Sequence, residues 1–222
     1  MFAAAQEQTA PSASILWVPE QSADRMRPRE QITVGDLMIR RWRPDDLQPL
    51  HAAVLESIEH LRPWMAWAAD ADLGAQSRYL EATVPAWERD ERYEYAIIHP
   101  RAGIIGSIAL LARIGAGGLE IGYWVHSDHT GRGVASTSTA ALAAAAFALP
   151  WVDLVEIHHD AANTASASIP ARLGFQMIQS VPREPAAPAD SGRDLIWRLS
   201  RDAYPASQCR ALLESTGTPK SG

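Results

Sequence analysis

The stretch His129-Thr-Gly-Arg-Gly-Val-Ala-Ser136 connects a predicted strand, Leu119–His126, to a long uncharged predicted helix over Gly133–Leu149. Small residues at such a connection let successive backbone N–H groups point at one place, and the helix dipole adds positive potential there. Arg132 can add a charge-assisted contact. The stretch therefore indicates a binding site for a phosphate or a pyrophosphate.

Three interpretations of this loop are open. In the first, the glycines only tighten a turn before a core helix. In the second, Gly131-Arg-Gly133-Val-Ala-Ser136 is a variant of the GxGxxG dinucleotide motif with Ser136 in place of the third glycine, and Asp153 follows about twenty residues further on. Three antiparallel strands precede the loop, however, whereas a dinucleotide fold places its glycines directly after the first strand. In the third, the loop holds the pyrophosphate of coenzyme A.

The elements around the loop predict one α/β (α+β) domain with a mixed, mostly antiparallel sheet flanked by helices. Residues 31–205 are expected to form this domain, with a flexible arm at 1–30 that includes a short strand at Ser14–Val18. A flexible tail, frayed or briefly helical, is expected at 206–222. The predicted strands cover 32–42, 94–99, 104–113, 119–126, 154–159, 175–180 and 195–199. One predicted helix begins at Arg43, and three more cover 75–89, 133–149 and 164–173.

Composition excludes several classes of function. The chain has 19 arginines and one lysine, Lys220, near the end of the sequence, so neither a P-loop nor a Schiff-base lysine is expected. The single cysteine, Cys209, allows no internal disulfide and no zinc site built on several thiolates. The net charge of −6 argues against nucleic acid as a partner. Without a secretory signal or a membrane span, a cytoplasmic location is expected.

Two spaced motifs give the chain a family resemblance. Thr130-Gly-Arg-Gly133-Val-Ala135 is similar to the Gln/Arg-x-x-Gly-x-Gly/Ala signature of the GCN5-related N-acetyltransferases, with Thr in the first position. Asn163-Thr-Ala-Ser166 followed by Arg172-Leu-Gly-Phe175 resembles the family's second element. The segments Leu37–Asp46 and Ser57–Trp67 resemble the branch that acetylates N-terminal amines of ribosomal proteins. The resemblance extends from about Ile32 to Arg201.

This resemblance implies a sheet that splays between the fourth and fifth strands and binds acetyl-CoA there. It implies transfer of the acetyl group to a primary amine, either a protein N-terminus or a small molecule. Asn163 can contact the cofactor, cap the following helix, or do both. The residues implied to bind the cofactor are Trp124, Val125, Gly131, Arg132, Gly133, Val134, Ala135, Ser136 and Asn163.

A general base is expected on the strands at the splay. Glu120 is the first candidate, because family members often keep a carboxylate on this strand, although an ion pair with an arginine would explain it equally well. Glu156 and His158 share one face of the next strand, and His159 lies on the other. Because adjacent strand residues point to opposite faces, the two histidines cannot share a metal ion, and no metal site is expected.

The general acid is also carried over from the resemblance. The family often has a tyrosine four residues before the Gly-Phe glycine, and this position is Pro170 here. Ser166 is therefore the remaining candidate acid, as in the ribosomal-protein branch. Pro170 also removes the N–H that would bond to the carbonyl of Ser166, so the helix should be short or kinked.

Clues to the acceptor are few. Trp64 and Trp67 lie where the family's substrate cleft has one wall, but such residues more often serve core or lid packing than substrate specificity. Acidic residues on the second helix favour a solvated face over attraction of a cationic amine. An inactive domain that senses acetyl-CoA and, less favoured, a nicotinamide-binding enzyme are the alternatives. A homodimer is compatible with the sequence.

Overall fold

The structure is a computed structural model that describes residues 26–217, so the predicted strand at Ser14–Val18 lies outside the described residues. Eight strands form one sheet in the order β1-β2-β3-β4-β5-β6-β8-β7. Every neighbouring pair is antiparallel except β5 and β6. The strands are β1 Gln31–Val34, β2 Leu37–Arg41, β3 Arg92–His99, β4 Gly103–Leu111, β5 Gly118–Val125, β6 Leu154–Asp160, β7 Gln176–Pro182 and β8 Arg193–Ser200, and the helices are α1 Leu47–Glu56, α2 Ile58–Leu61, α3 Leu73–Glu88, α4 Val134–Phe147, α5 Thr164–Leu173 and α6 Gln208–Gly217.

The first predicted strand is a hairpin rather than one strand. Val34 pairs with Leu37 across a two-residue turn, in which Gly35 takes the left-handed conformation with φ of +54°. A Gly-Asp pair is well suited to such a turn, so the alternating pattern on its two sides belongs to two strands. The predicted fourth and fifth strands are therefore β5 and β6.

The helix expected to open at Arg43 begins instead with one 3-10 turn, Pro44–Asp46, and becomes α1 at Leu47. Asp46 is buried and accepts hydrogen bonds from both terminal nitrogens of Arg40 on β2, at 2.6 and 2.7 Å. It also accepts from the backbone N–H of Arg43. This buried pair fixes where α1 leaves the sheet.

The predicted splay is confirmed by the register of β5 and β6. The two strands pair only through Gly118, Leu119 and Glu120 of β5, and then diverge. On its other side, β5 stays paired with β4 as far as Val125. The second half of β5 therefore presents one row of unpaired backbone groups to the opening.

Helices cover both faces of the sheet. Helix α4 is built from Ala, Ser, Thr and a few larger residues, and most of its side chains are buried in the main core with α5, α6 and one sheet face. Because its side chains are small, α4 can lie close to the strands and bring its N-terminus to the splay. The opposite face is covered by α1 and α3 with a second core that includes Trp42, Tyr79 and Trp124.

Both ends of the described chain are held. Arg27 forms ion pairs with Glu88 and Asp90, and the indole N–H of Trp151 donates to the carbonyl of Met26. The sequence predicted a flexible tail from residue 206, frayed or briefly helical, and in the structure residues 208–217 form the helix α6. Its Cys209 is completely buried in the main core, which explains why this segment is ordered.

Candidate functional site

The glycine loop has the geometry of an anion cradle. Gly131 and Gly133 have φ of +69° and +81°, in the left-handed region that residues with a Cβ avoid. Gly133 is the N-cap of α4 and offers no side chain to it. The first-turn N–H groups, from Val134 to Ser136, have no acceptor within the helix. No heavy atom lies within 4 Å of a Cβ built on either glycine, so there is open space beside the backbone.

The approach to this loop is fixed by hydrogen bonds. The hydroxyl and the backbone N–H of Thr130 both donate to the carbonyl of Ser127, at 2.8 and 3.3 Å. The backbone N–H of Ser127 donates to the hydroxyl of Ser57, which is buried between α1 and α2. Thr130, which stands where the signature has Gln or Arg, therefore stabilises the turn.

A cavity of about 370 Å³ lies in front of the loop. It reaches from the α4 N-terminus and the end of β5 to α5, and the predicted cofactor residues line it with one exception. Arg132 is exposed and is not part of the lining. Arg172 and His129 line the cavity instead, although the sequence did not single them out. The predicted residues in the lining are Trp124, Val125, Gly131, Gly133, Val134, Ala135, Ser136 and Asn163.

A second cavity of about 300 Å³ adjoins the first. Its floor is the splayed part of β5 and β6, and its walls are the segment at 64–67 and the β7–β8 connection. Trp67 lines this second cavity, and Trp64 lines both. The residues shared by the two linings are Trp64, Met65, Tyr123, Asn163 and Ser166.

The start of α5 lies at this junction. Asn163 is the N-cap, with its side-chain oxygen accepting from the backbone N–H of Ser166 at 3.0 Å, so the predicted capping role is confirmed. Pro170 interrupts the helical hydrogen bonds and leaves the carbonyl of Ser166 without its normal partner. The hydroxyl of Tyr123 donates to this carbonyl at 3.4 Å. Burial raises the pKa of Tyr123, which keeps it protonated as a donor.

Tyr123 is a site residue that sequence reasoning missed. The signal for it was indirect, because Pro170 predicts an orphaned carbonyl but does not say which donor replaces the missing N–H. The donor comes from β5, more than forty positions earlier in the chain.

Glu120 lies on the floor of the second cavity and is almost completely buried. Arg113 holds both of its oxygens, with Nε to Oε2 at 2.8 Å and Nη2 to Oε1 at 2.5 Å. Its neighbour across the strands, Glu156, is equally buried and is paired with Arg198. His158 lies between the two carboxylates, with Nε2 at 2.6 Å from Glu156 and Nδ1 at 3.5 Å from Glu120.

The far wall of the second cavity is anchored at Asp160, the last residue of β6. Burial alone would raise the pKa of Asp160. Four hydrogen bonds to its carboxylate, from the backbone N–H and the hydroxyl of Ser191 and from the backbone N–H groups of Ala162 and Arg193, instead lower its pKa to about 2.

The two walls of the second cavity are joined by a backbone hydrogen bond. The N–H of Ala189 donates to the carbonyl of Pro63 on the opposite wall at 2.9 Å.

The fold and the site define a class of protein in which two adjoining cavities meet across a splayed sheet, one of them in front of a loop with the geometry of an anion cradle. Within residues 26–217, no set of three or more His, Cys, Asp and Glu side chains is arranged to hold a metal ion. No helix in the same range is both long and apolar enough to cross a membrane.

The chain belongs to the GNAT family, because residues 36–176 match the family model described as an acetyltransferase (GNAT) domain. This membership confirms the class expected from the sequence, an acetyl-CoA-dependent N-acetyltransferase.

Individual relatives agree with this assignment. YdaF of Bacillus subtilis (strain 168), named as a candidate ribosomal N-acetyltransferase, is 26% identical over 147 residues, which are 63% of this chain and 77% of YdaF. The structure of Mycobacterium smegmatis RimJ in complex with CoA-disulfide has a TM-score of 0.72 at 19% identity, covering 83% of this chain and 92% of RimJ. A RimL ribosomal L7/L12 alpha-N-protein acetyltransferase in complex with coenzyme A also has a TM-score of 0.72, at 20% identity, covering 78% of this chain and 99% of RimL. The last two likenesses support the predicted fold.

Proposed function

We propose that this protein transfers the acetyl group of acetyl-CoA directly to the α-amine of a protein N-terminus, with both substrates bound at once. The observation that carries this proposal is the junction of the two cavities at Tyr123, Asn163 and Ser166. A donor in the first cavity and an acceptor in the second would meet at the start of α5. The relatives named for ribosomal proteins support a protein acceptor.

The first cavity fits the donor. The left-handed glycines and the free N–H groups at the start of α4 suit a pyrophosphate. The unpaired backbone edge of β5, from Ile121 to Val125, suits the amide groups of the pantetheine arm, which would add to the sheet like a short strand. A backbone N–H near Val125 is then available to stabilise the oxyanion that forms on the thioester carbonyl.

The second cavity fits a cationic acceptor. Four carboxylates line it, but only two guanidinium groups do, so the local charge is negative and attracts an ammonium group. Trp64 and Trp67 supply apolar wall next to it, which suits the first side chain of a peptide. The carboxylates are Glu120, Asp160, Asp190 and Asp194, and the guanidinium groups are those of Arg113 and Arg183.

Ser166 is proposed as the group that gives a proton to the departing sulfur. It lines both cavities, and the Asn163 cap and the Tyr123 hydrogen bond fix the backbone on both sides of its side chain. Pro170 stands where the family often has a tyrosine, and the hydroxyl of Tyr123 is already committed to the carbonyl of Ser166. The hydroxyl of Ser166 is therefore the one left at this junction to act as the acid.

The test is release of free thiol from acetyl-CoA in the presence of a panel of amines. The panel contains a peptide with a free N-terminus, the same peptide with its N-terminus blocked, and a set of small primary amines. We expect turnover with the free peptide and none with the blocked one, and Gly133→Asp should remove it. Turnover with small amines alone would contradict the protein acceptor, and acetyl-CoA binding without any turnover would indicate an inactive sensor.

A further inference from the structure

The chain of charges on the floor of the second cavity has a histidine at its centre. Arg113 pairs with Glu120, and Arg198 pairs with Glu156. His158 lies between these two ion pairs, with Nε2 hydrogen-bonded to Glu156 at 2.6 Å and Nδ1 3.5 Å from Glu120. Each ion pair is neutral by itself, and His158 is the member of this chain of charges that no guanidinium group holds.

The position of these charged groups follows from the pairing of β5 with β6. Glu120 and Glu156 face each other at the last paired position of β5 and β6. His158 is two residues further along β6, on the same face and beyond the point where the strands separate. Its side chain keeps 22% of its surface exposed, whereas each carboxylate keeps 5%, and it lines the second cavity. An acceptor amine in the cavity can therefore reach the imidazole more readily than either carboxylate.

We infer that His158 is the group that takes the proton from the acceptor ammonium, and that Glu120 and Glu156 position it. This inference rests on the proposed function. Glu120, the base expected from the sequence, has both oxygens held by Arg113 and is therefore a positioning residue.

The proton transfer fits the geometry of the ring. A carboxylate can only accept, so the 2.6 Å contact with Glu156 places a proton on Nε2 and leaves the lone pair of the neutral ring on Nδ1. When Nδ1 takes the proton of the ammonium, the carboxylate of Glu120, 3.5 Å away, stabilises the positive charge of the ring. The amine nitrogen then bonds to the acetyl carbon as the carbon–sulfur bond breaks. The sulfur takes a proton from Ser166, which regains one from the nitrogen, and His158 returns its proton to solvent.

Other charged groups face the same cavity and set its field. They lie at the end of β6, on the β7–β8 connection and at the start of β8, and they form their own ion-paired cluster around Arg183. These groups are Asp160, Arg183, Asp190 and Asp194. His159, the neighbour of His158 in sequence, accepts a hydrogen bond from the indole N–H of Trp197.

The experiment compares His158→Gln with the wild type on two peptides that differ only in the acidity of their N-terminal ammonium. One begins with alanine, and the other begins with an alanine carrying β-fluorine substituents, which make the ammonium far more acidic. On the alanine peptide near neutral pH we expect kcat/KM to fall by about 10²-fold. On the fluorinated peptide, which is already a free amine at that pH, the loss should shrink to about threefold.

Controls separate this role from a structural one. His99→Gln changes a histidine at the end of β3 that lines neither cavity, and it should leave both peptides unaffected. Glu156→Gln should lower turnover of the alanine peptide less than His158→Gln does, again with recovery on the fluorinated peptide. Equal losses on both peptides in His158→Gln, or no loss on either, would overturn the inference. A wild-type protein that acetylates neither peptide would overturn the proposed function itself.

Discussion

Replacing Tyr123 by Phe tests how this site tolerates a proline in α5. The hydroxyl of Tyr123 donates to the carbonyl of Ser166, which has lost its helical partner because Pro170 has no N–H. A neutral hydrogen bond of this kind contributes about 1 kcal/mol, and its length of 3.4 Å places it no higher than that. We therefore expect Tyr123→Phe to lower the free energy of unfolding by about 1 kcal/mol, or about fivefold in the unfolding constant.

In a Pro170→Ala background, Tyr123→Phe should lower the free energy of unfolding far less. Alanine at position 170 restores a backbone N–H four residues after Ser166, so the carbonyl no longer depends on Tyr123. A double-mutant cycle followed by urea unfolding should give a coupling of about 1 kcal/mol between the two positions. Tyr95→Phe is the matched control, since its hydroxyl donates to the carbonyl of Arg29 and its cost should be equal in both backgrounds. An equal cost of Tyr123→Phe in both backgrounds would refute this reasoning.

Four further predictions concern the glycine loop, Ser166, the far wall of the second cavity and the buried thiol. Gly133→Asp should abolish acetyl-CoA binding measured by titration calorimetry, because φ of +81° strains any side chain and the new carboxylate repels the pyrophosphate. Arg132 lies outside the cavity lining, so Arg132→Ala should change the Kd for acetyl-CoA by about threefold at most. Ser166→Ala should lower kcat by about 10²-fold with little change in the Kd for acetyl-CoA, and an unchanged kcat would contradict its role as acid. Asp160→Asn should cost about 2 kcal/mol of stability at neutral pH. Because folding lowers the pKa of Asp160 from 3.8 to about 2, the difference from the wild type should persist above pH 4 and vanish as the pH falls toward 2, and a difference independent of pH would count against this. Cys209, whose pKa burial raises to about 12, should react with a thiol reagent only as fast as the protein unfolds.

Local patterns predicted most of the elements. The helix Thr164–Leu173 has the predicted bounds, because an Asn cap and a following glycine mark its two ends. The anion-binding loop was also recognisable, since it depends on glycines that are neighbours in sequence. The predicted strand over 32–42 was wrong in one respect, because alternation alone does not distinguish one strand from two that are joined by a two-residue turn.

The contacts that shape the site were not predictable in the same way. Arg113 reaches Glu120 across the β4–β5 turn, and Tyr123 reaches the carbonyl of Ser166 from another strand. Both pairs are set by the way in which the elements pack in three dimensions. The sequence left open whether Glu120 is a base or the partner of an arginine, and the structure places it in an ion pair with Arg113, beside His158.

The C-terminal segment also shows how far local sequence predicts structure. Its sequence has few large apolar residues, and a frayed tail or a short helix was expected there. In the structure α6 packs against α4, whose alanine-rich surface allows close contact, and buries Cys209. Helix formation here depends on tertiary packing, which the local sequence does not encode.

The most direct test of the proposed function is to identify the acetylated atom. A peptide with a free N-terminus and one internal lysine, incubated with the protein and acetyl-CoA, can be sequenced by tandem mass spectrometry. We predict one acetyl group on the α-amine, an unmodified lysine side chain, and no product with Gly133→Asp. Acetylation of the lysine side chain in place of the α-amine, or no acetylated peptide while acetyl-CoA binds, would contradict the account.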